Sequence, residues 1–147
     1  MGLFSSFDTA GSGMSAQRLR SDIIAQNIAN VNSTSSQKGG AYKRKTVVFN
    51  EKNASAFGNI LINEMGRGYV GSGVKVTSIV EDNDSEMKMV YDPSHPDADE
   101  NGYVTYPNVN VVEEMTNLID ASRAYEANAT AFNAAKSMAS RGLQIGQ

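Results

Sequence analysis

The sequence predicts a mainly α fold with a small β region. Long helices are expected at the N- and C-terminal ends, paired as a coiled coil, around a small β-rich middle. Two observations predict the helices: apolar residues recur alternately three and four positions apart near each end of the chain. A third predicts the middle, where short β-prone runs lie between stretches rich in Gly, Ser, Asp and Pro. The chain of 147 residues suits one domain in three segments, residues 1–32, 33–107 and 108–147.

In the first segment the seam runs through Phe7, Ala10, Met14, Gln17, Ser21, Ile24, Ile28 and Val31, leaving Arg18, Arg20 and Asp22 off it. This helix is weak by itself. Gly11 and Gly13 each cost about 1 kcal/mol relative to Ala in a helix interior, and its many Ser, Thr, Asn and Asp side chains compete for backbone hydrogen bonds. It needs a partner helix, and in a free monomer its end is expected to fray.

The middle opens on the loop-like run Ser33 to Gly40. Strands are expected in Lys43–Phe49, Val74–Thr77 (alternating, hence half-buried), Met87–Tyr91 and Tyr103–Tyr106. Gly66, Gly68, Gly71 and Gly73 read as a hinge or loop. Such a region buries only a small core.

The C-terminal helix is the most strongly patterned. Pro107 precedes it, and Asn110 with Glu113 three residues on forms a plausible N-cap pair. Its seam is Val111, Met115, Leu118, Ser122, Tyr125, Ala129, Phe132, Lys136, Ala139 and Leu143. Arg123 lies three residues from both Asp120 and Glu126, a spacing that suits exposed ion pairs. A helix of about 34 residues is about 50 Å long, too long for the small middle region to cover. The two seams therefore pair with each other, and the apolar surface left over faces other subunits.

Composition narrows the function. A formal net charge of -3 gives no electrostatic pull toward nucleic acid. The one basic cluster, Lys43, Arg44 and Lys45 with Lys38 nearby, reads as a solvated strand edge. The absence of Cys removes disulfides, thiolate metal sites and a Cys nucleophile. No apolar run is long enough to span a bilayer, and the first residues lack the basic and apolar regions of a Sec-type signal peptide. Gly2 and Ser6 match a myristoylation pattern too short and common to carry weight.

Three chemical motifs are weaker than they look. Asp97, Asp99, Asn101 and Gly102 match the opening of a calcium-binding loop, but Asn108 stands where the bidentate Glu belongs. An acidic turn between two strands explains them more simply. His95, the single histidine, has no second His or Cys beside it and no triad motif. Met14, Met115 and Met138 would suit a promiscuous binding surface, yet at helical spacing they fit seam or flank packing. No catalytic residue, metal site or cofactor is expected.

The segment SAQRLRSDIIAQNIANVNST, followed by AYKRKTVVF, resembles the N-terminal signature of bacterial flagellar rod and hook proteins. The run from Tyr91 to Gly146 is similar to the C-terminal half of the short proximal rod members. Asn27, Ala29 and Asn30 match the family's Asn-Leu-Ala-Asn element, with Ile28 in place of Leu. Pro107, Asn108, Val109, Val112, Glu114 and Met115 match the start of the C-terminal element; Arg123, Tyr125 and Asn128 match its middle. The resemblance implies a non-enzymatic structural subunit of the flagellar basal body, partnered by itself and other rod proteins and exported by the flagellar type III apparatus. Phe57 with Leu61 fits a degenerate pattern associated with that export, and equally a short packing segment. The seam residues Phe7, Met14, Ile24, Ile28, Val31, Val111, Met115, Leu118, Tyr125, Ala129 and Phe132 are expected to carry subunit packing. A soluble coiled-coil adaptor or export chaperone is the competing class, but it would require a stable N-terminal helix in the free protein.

Overall fold

The computed structural model describes residues 3–36, 39–52 and 73–145. In chain order the elements are α1 (Leu3–Ala29), β1 (Lys45–Glu51), β2 (Val74–Glu81), β3 (Lys88–Tyr91), β4 (Tyr103–Tyr106) and α2 (Val111–Ile145). Gly66, Gly68, Gly71, Phe57, Leu61, Lys38 and Gly2 lie outside the described residues.

Both helices form where the apolar repeat places them. α1 ends at Ala29, where Asn30 bonds back to Gln26 O through both its backbone N, at 3.2 Å, and its Nδ2, at 2.8 Å. The hydroxyls that threatened this helix are absorbed locally: Thr9 donates to Ser5 O at 2.8 Å and Ser15 to Gly11 O at 3.0 Å, each reaching a carbonyl one turn back. α2 starts as expected, with Asn110 Oδ1 accepting from Val112 N at 3.1 Å. Glu113 does not complete a capping box; its carboxylate pairs with Arg44 instead.

The strands make two two-stranded sheets, β1 with β2 and β3 with β4. Bonds from Lys52 N to Gly73 O and from Asp82 N to Arg44 O, both 2.8 Å, join opposite ends of β1 and β2 and make that pair antiparallel. β3 and β4 are antiparallel from Lys88↔Tyr106 to Tyr91↔Tyr103, and the rings of Tyr91 and Tyr103 meet edge-on at 5.3 Å. β2 runs four residues past the expected Thr77. Within the expected run Val76 is half-buried and Val74 37% exposed; in the extension Ile79 and Val80 are exposed, because a two-stranded sheet leaves a face uncovered.

The chain forms two compact units. The first comprises Met1–Leu19, Val48–Ser78 and Ala121–Gln147. Within it α1 and α2 touch in antiparallel sense: Phe7 meets Phe132 edge-on at 4.9 Å, and farther along α1, Gly13 lies against Asn128, which precedes Phe132 in α2. The fully buried residues of the two helices within this unit are small: Ala10, Ala16, Ala121 and Ala135. A Cβ on Gly13 would come within 2.8 Å of Asn128 Oδ1. Gly73, at φ +110, presses on Ser12, whose hydroxyl accepts from Val74 N at 3.1 Å; this glycine is required by both its backbone and its neighbour. The second unit, Arg20–Val47 and Ile79–Asp120, has Ile24, Tyr42, Val104, Pro107 and Val109 at its centre.

The fully buried positions of α2, Glu114, Ala121 and Ala135, each lie one residue before a seam position, Met115, Ser122 and Lys136, while Leu118, Ala129, Phe132 and Ala139 stay half-buried on the seam itself. Small and hydrogen-bonding side chains take the closest contacts, and Met115 is turned outward.

Gly11 and Gly13 separate helix propensity from packing. Nothing lies within 4 Å of a Cβ built on Gly11, so Gly11→Ala should stabilise the chain by about 1 kcal/mol. Gly13→Ala should lack that gain and lower the melting temperature, because Asn128 would have to give up its 2.8 Å bond to Ala124 O to make room. Adding Asn128→Ala should recover the loss. Thermal unfolding of the four chains checks the order.

Candidate functional site

A fully satisfied polar group in the second unit is the side-chain amide of Asn27, 1% exposed near the end of α1. Its Nδ2 donates to Lys45 O at 2.8 Å and to Glu114 Oε2 at 2.9 Å. Its Oδ1 accepts from Tyr42 OH at 2.9 Å and from Lys45 N at 3.0 Å. All four bonding positions of the amide are used, and Lys45 fixes which end is oxygen, since its N–H must meet an acceptor and its carbonyl a donor. Asn27 thus pairs with the first residue of β1 as a neighbouring strand would.

Glu114, also 1% exposed, sits in the first turn of α2. Its Oε1 accepts from Arg44 Nε and Nη2, both at 2.8 Å, and Arg44 Nη2 reaches Glu113 Oε1 at 3.1 Å. The helix N-terminus favours both carboxylates. A buried carboxylate needs such a partner, because removing it from water is expensive. Arg44 N donates to Asn108 Oδ1 at 2.9 Å, and Asn108 Nδ2 donates to Asp82 O at 3.1 Å. The side chain of Asp82 takes the N–H and hydroxyl of Ser85, and these bonds hold its carboxyl below the usual range.

The basic triplet is therefore not a solvated strand edge. Arg44 is ion-paired, Lys43 donates to Asn83 Oδ1 at 2.6 Å, and Lys45 Nζ lies 5.4 Å from the centre of the Tyr42 ring. Burial, then the charges of Glu114 and Glu81, raise the Tyr42 phenol above its ordinary 10.0.

The other motif positions divide. Pro107 is buried beside this cluster in sequence, Asn30 takes the Ser33 hydroxyl at 3.1 Å, and Asn128 packs on Gly13 in the first unit. Ala29 and Arg123 are exposed. Among the seam residues Ile24 is buried, while Phe7, Met14, Ile28, Val31, Leu118, Ala129 and Phe132 are half-buried. Val111, Met115 and Tyr125 are exposed, Met115 by 55%. The acidic turn joins β3 to β4: Asp99 Oδ1 accepts from Asn101 N and Tyr103 N, and Asp97 accepts from the Thr34 hydroxyl at 2.7 Å. Tyr42, Arg44 and Lys45 are the site residues missed by sequence reasoning. Their signal was a basic triplet facing, across the chain, the adjacent acids Glu113 and Glu114.

The family model for flagella basal body rod protein matches residues 7–35, and that for the C-terminal part of the flagellar basal body rod FlgEFG proteins matches residues 100–145. The flagellar basal-body rod protein FlgC of Borreliella burgdorferi is 46% identical, covering 99% of this chain and 98% of its own length. Those of Bacillus subtilis and Salmonella typhimurium are 43% and 42% identical with full coverage of both chains. This chain belongs to the flagellar basal-body rod protein family. Asn27 falls in the first matched region of the rod protein and Glu114 in the second, so their bond ties one region to the other.

Two results should follow. Arg44→Met leaves Glu114 buried without its cation and should destabilise the rod protein by about 3 kcal/mol, the low end for such a loss because Arg44 keeps 21% exposure. Adding Glu114→Gln should recover most of it in denaturant unfolding. In the alkaline range, the folded state holds the Tyr42 proton more tightly than the unfolded state. Its contribution is complete below pH 10.0 and lost as pH rises through the raised value. Tyr42→Phe should flatten the pH dependence of stability above that point.

Proposed function

We propose that this rod-family protein is a non-enzymatic structural subunit of the proximal flagellar rod, polymerising with itself and other rod proteins through its terminal helices. The observation that carries the reading is full-length similarity to rod proteins from three bacteria. The polar groups of the site, Asn27, Tyr42, Arg44 and Glu114, bind one another, as in a structural joint. The expected working domain is the coiled-coil pair of residues 1–32 and 108–147, with the β-rich part between them. Delivery by the flagellar type III export apparatus completes the proposal.

The apolar positions that one chain leaves open are the packing surface of the subunit. Val112, Met115 and Ile119 are 74%, 55% and 53% exposed and lie on one stripe of α2 by their spacing of three and four. Such a stripe marks an interaction site. No described helix is long and apolar enough to cross a membrane.

Met115→Asp combined with Ile119→Asp should leave the melting temperature of the free chain nearly unchanged, since both side chains are more than half exposed. The same pair should remove the protein from isolated basal bodies and stop swimming in cells that carry it as their single copy. Normal swimming would overturn this assignment of the packing surface.

A further inference from the structure

We propose that copies of this chain meet head to tail through α2, the acidic first half of one helix lying against the basic second half of the helix in the next copy. The inference rests on the rod-subunit reading and names the surface and the partner it uses. From Val111 to Glu126 the charged residues are Glu113, Glu114, Asp120 and Glu126 against the single Arg123. From Ala127 to Ile145 they are Lys136 and Arg141, with no acid. Arg44 answers Glu113 and Glu114. Asp120, Arg123, Glu126, Lys136 and Arg141 remain on the surface, all exposed, so beyond the pairs with Arg44 the first half keeps a surplus of negative charge and the second carries positive charge alone.

Helix capping does not explain this polarity. The macrodipole acts within the first and last turns. Asp120 and Glu126 lie beyond the first turn, and the last turn holds no basic residue. Both halves also expose apolar side chains: Val112, Met115 and Ile119 in the acidic half, Met138 (64%) and Leu143 (76%) in the basic half. A second copy carries the opposite charge for each half, with exposed apolar side chains beside it. Contact of an acidic half with another acidic half would oppose like charges. A head-to-tail contact is heterologous: each copy that joins presents a free half to the next, and the assembly grows instead of closing.

The chain has no Cys, so introduced thiols report their own contacts. Thr116→Cys with Met138→Cys places one thiol on each half at exposed positions, neither of them in the Val112, Met115 and Ile119 stripe, and melting of the free chain checks that the fold is kept. In cells with this variant as the single copy, a short bismaleimide should give a ladder of dimers, trimers and larger species in isolated basal bodies. Either single variant should give at most dimers. On the double-Cys background, Lys136→Glu with Arg141→Glu should reduce the ladder at least tenfold, and adding Asp120→Lys with Glu126→Lys should restore it. Cross-links that stop at dimers, that join only other proteins, or that fail to return with the charge exchange would overturn the proposal. Absence of the parent double-Cys chain from basal bodies would instead overturn the rod-subunit reading.

Discussion

The side-chain amide of Asn27 is the interaction on which the second unit depends. Four groups converge on it: the phenol of Tyr42, the carboxylate of Glu114, and the N–H and carbonyl of Lys45. No apolar side chain satisfies two donors and two acceptors at once, and no other residue type offers both functions in so short a reach. Through these bonds the end of α1, the start of β1 and the first turn of α2 are held at defined positions. Arg44 then makes a buried Glu114 tolerable, and Asn108 extends the network to the turn after β2.

A polar centre of this kind contributes less to stability than to definition. Its hydrogen bonds replace equally good ones to water, so the net gain per bond is about 1 kcal/mol. What it enforces is register. Ala121, Ala135, Ala10 and Ala16 would allow the helices of the first unit to slide with little penalty, since small side chains offer few interlocking shapes. Gly13 under Asn128 and Phe7 against Phe132 fix that unit sterically. In the second unit the same task falls to directional bonds.

The helices and the Asn110 cap of α2 were legible in the sequence because they rest on local rules: a three-four apolar repeat and an Asn at the N-cap. β4 was legible to the residue for the same reason. The rotation of α2 was not. An apolar seam predicts what faces another helix but not which helix, and here Glu114 and Ala121 face inward while Met115 points out. The partners of Arg44 were illegible too. The basic triplet at the start of β1 satisfies the pattern of a charged edge, and only the fold brings Glu114 to it. Asn27 and Glu114 were picked out by family resemblance alone, which carried no hint that they bond to each other.

Asn27 and Glu114 are 87 residues apart in the chain. Closing so long a loop is entropically costly and comes late, and contacts of that separation slow folding. A chain made from its N-terminus holds Asn27, Tyr42 and Arg44 long before Glu114 exists. Until the last third of the sequence arrives, the amide lacks one of its acceptors and the guanidinium lacks its carboxylate. The bond between Asn27 and Glu114 therefore acts as a test of completeness: a truncated chain lacks both the partner helix of α1 and this bond, and it cannot lock.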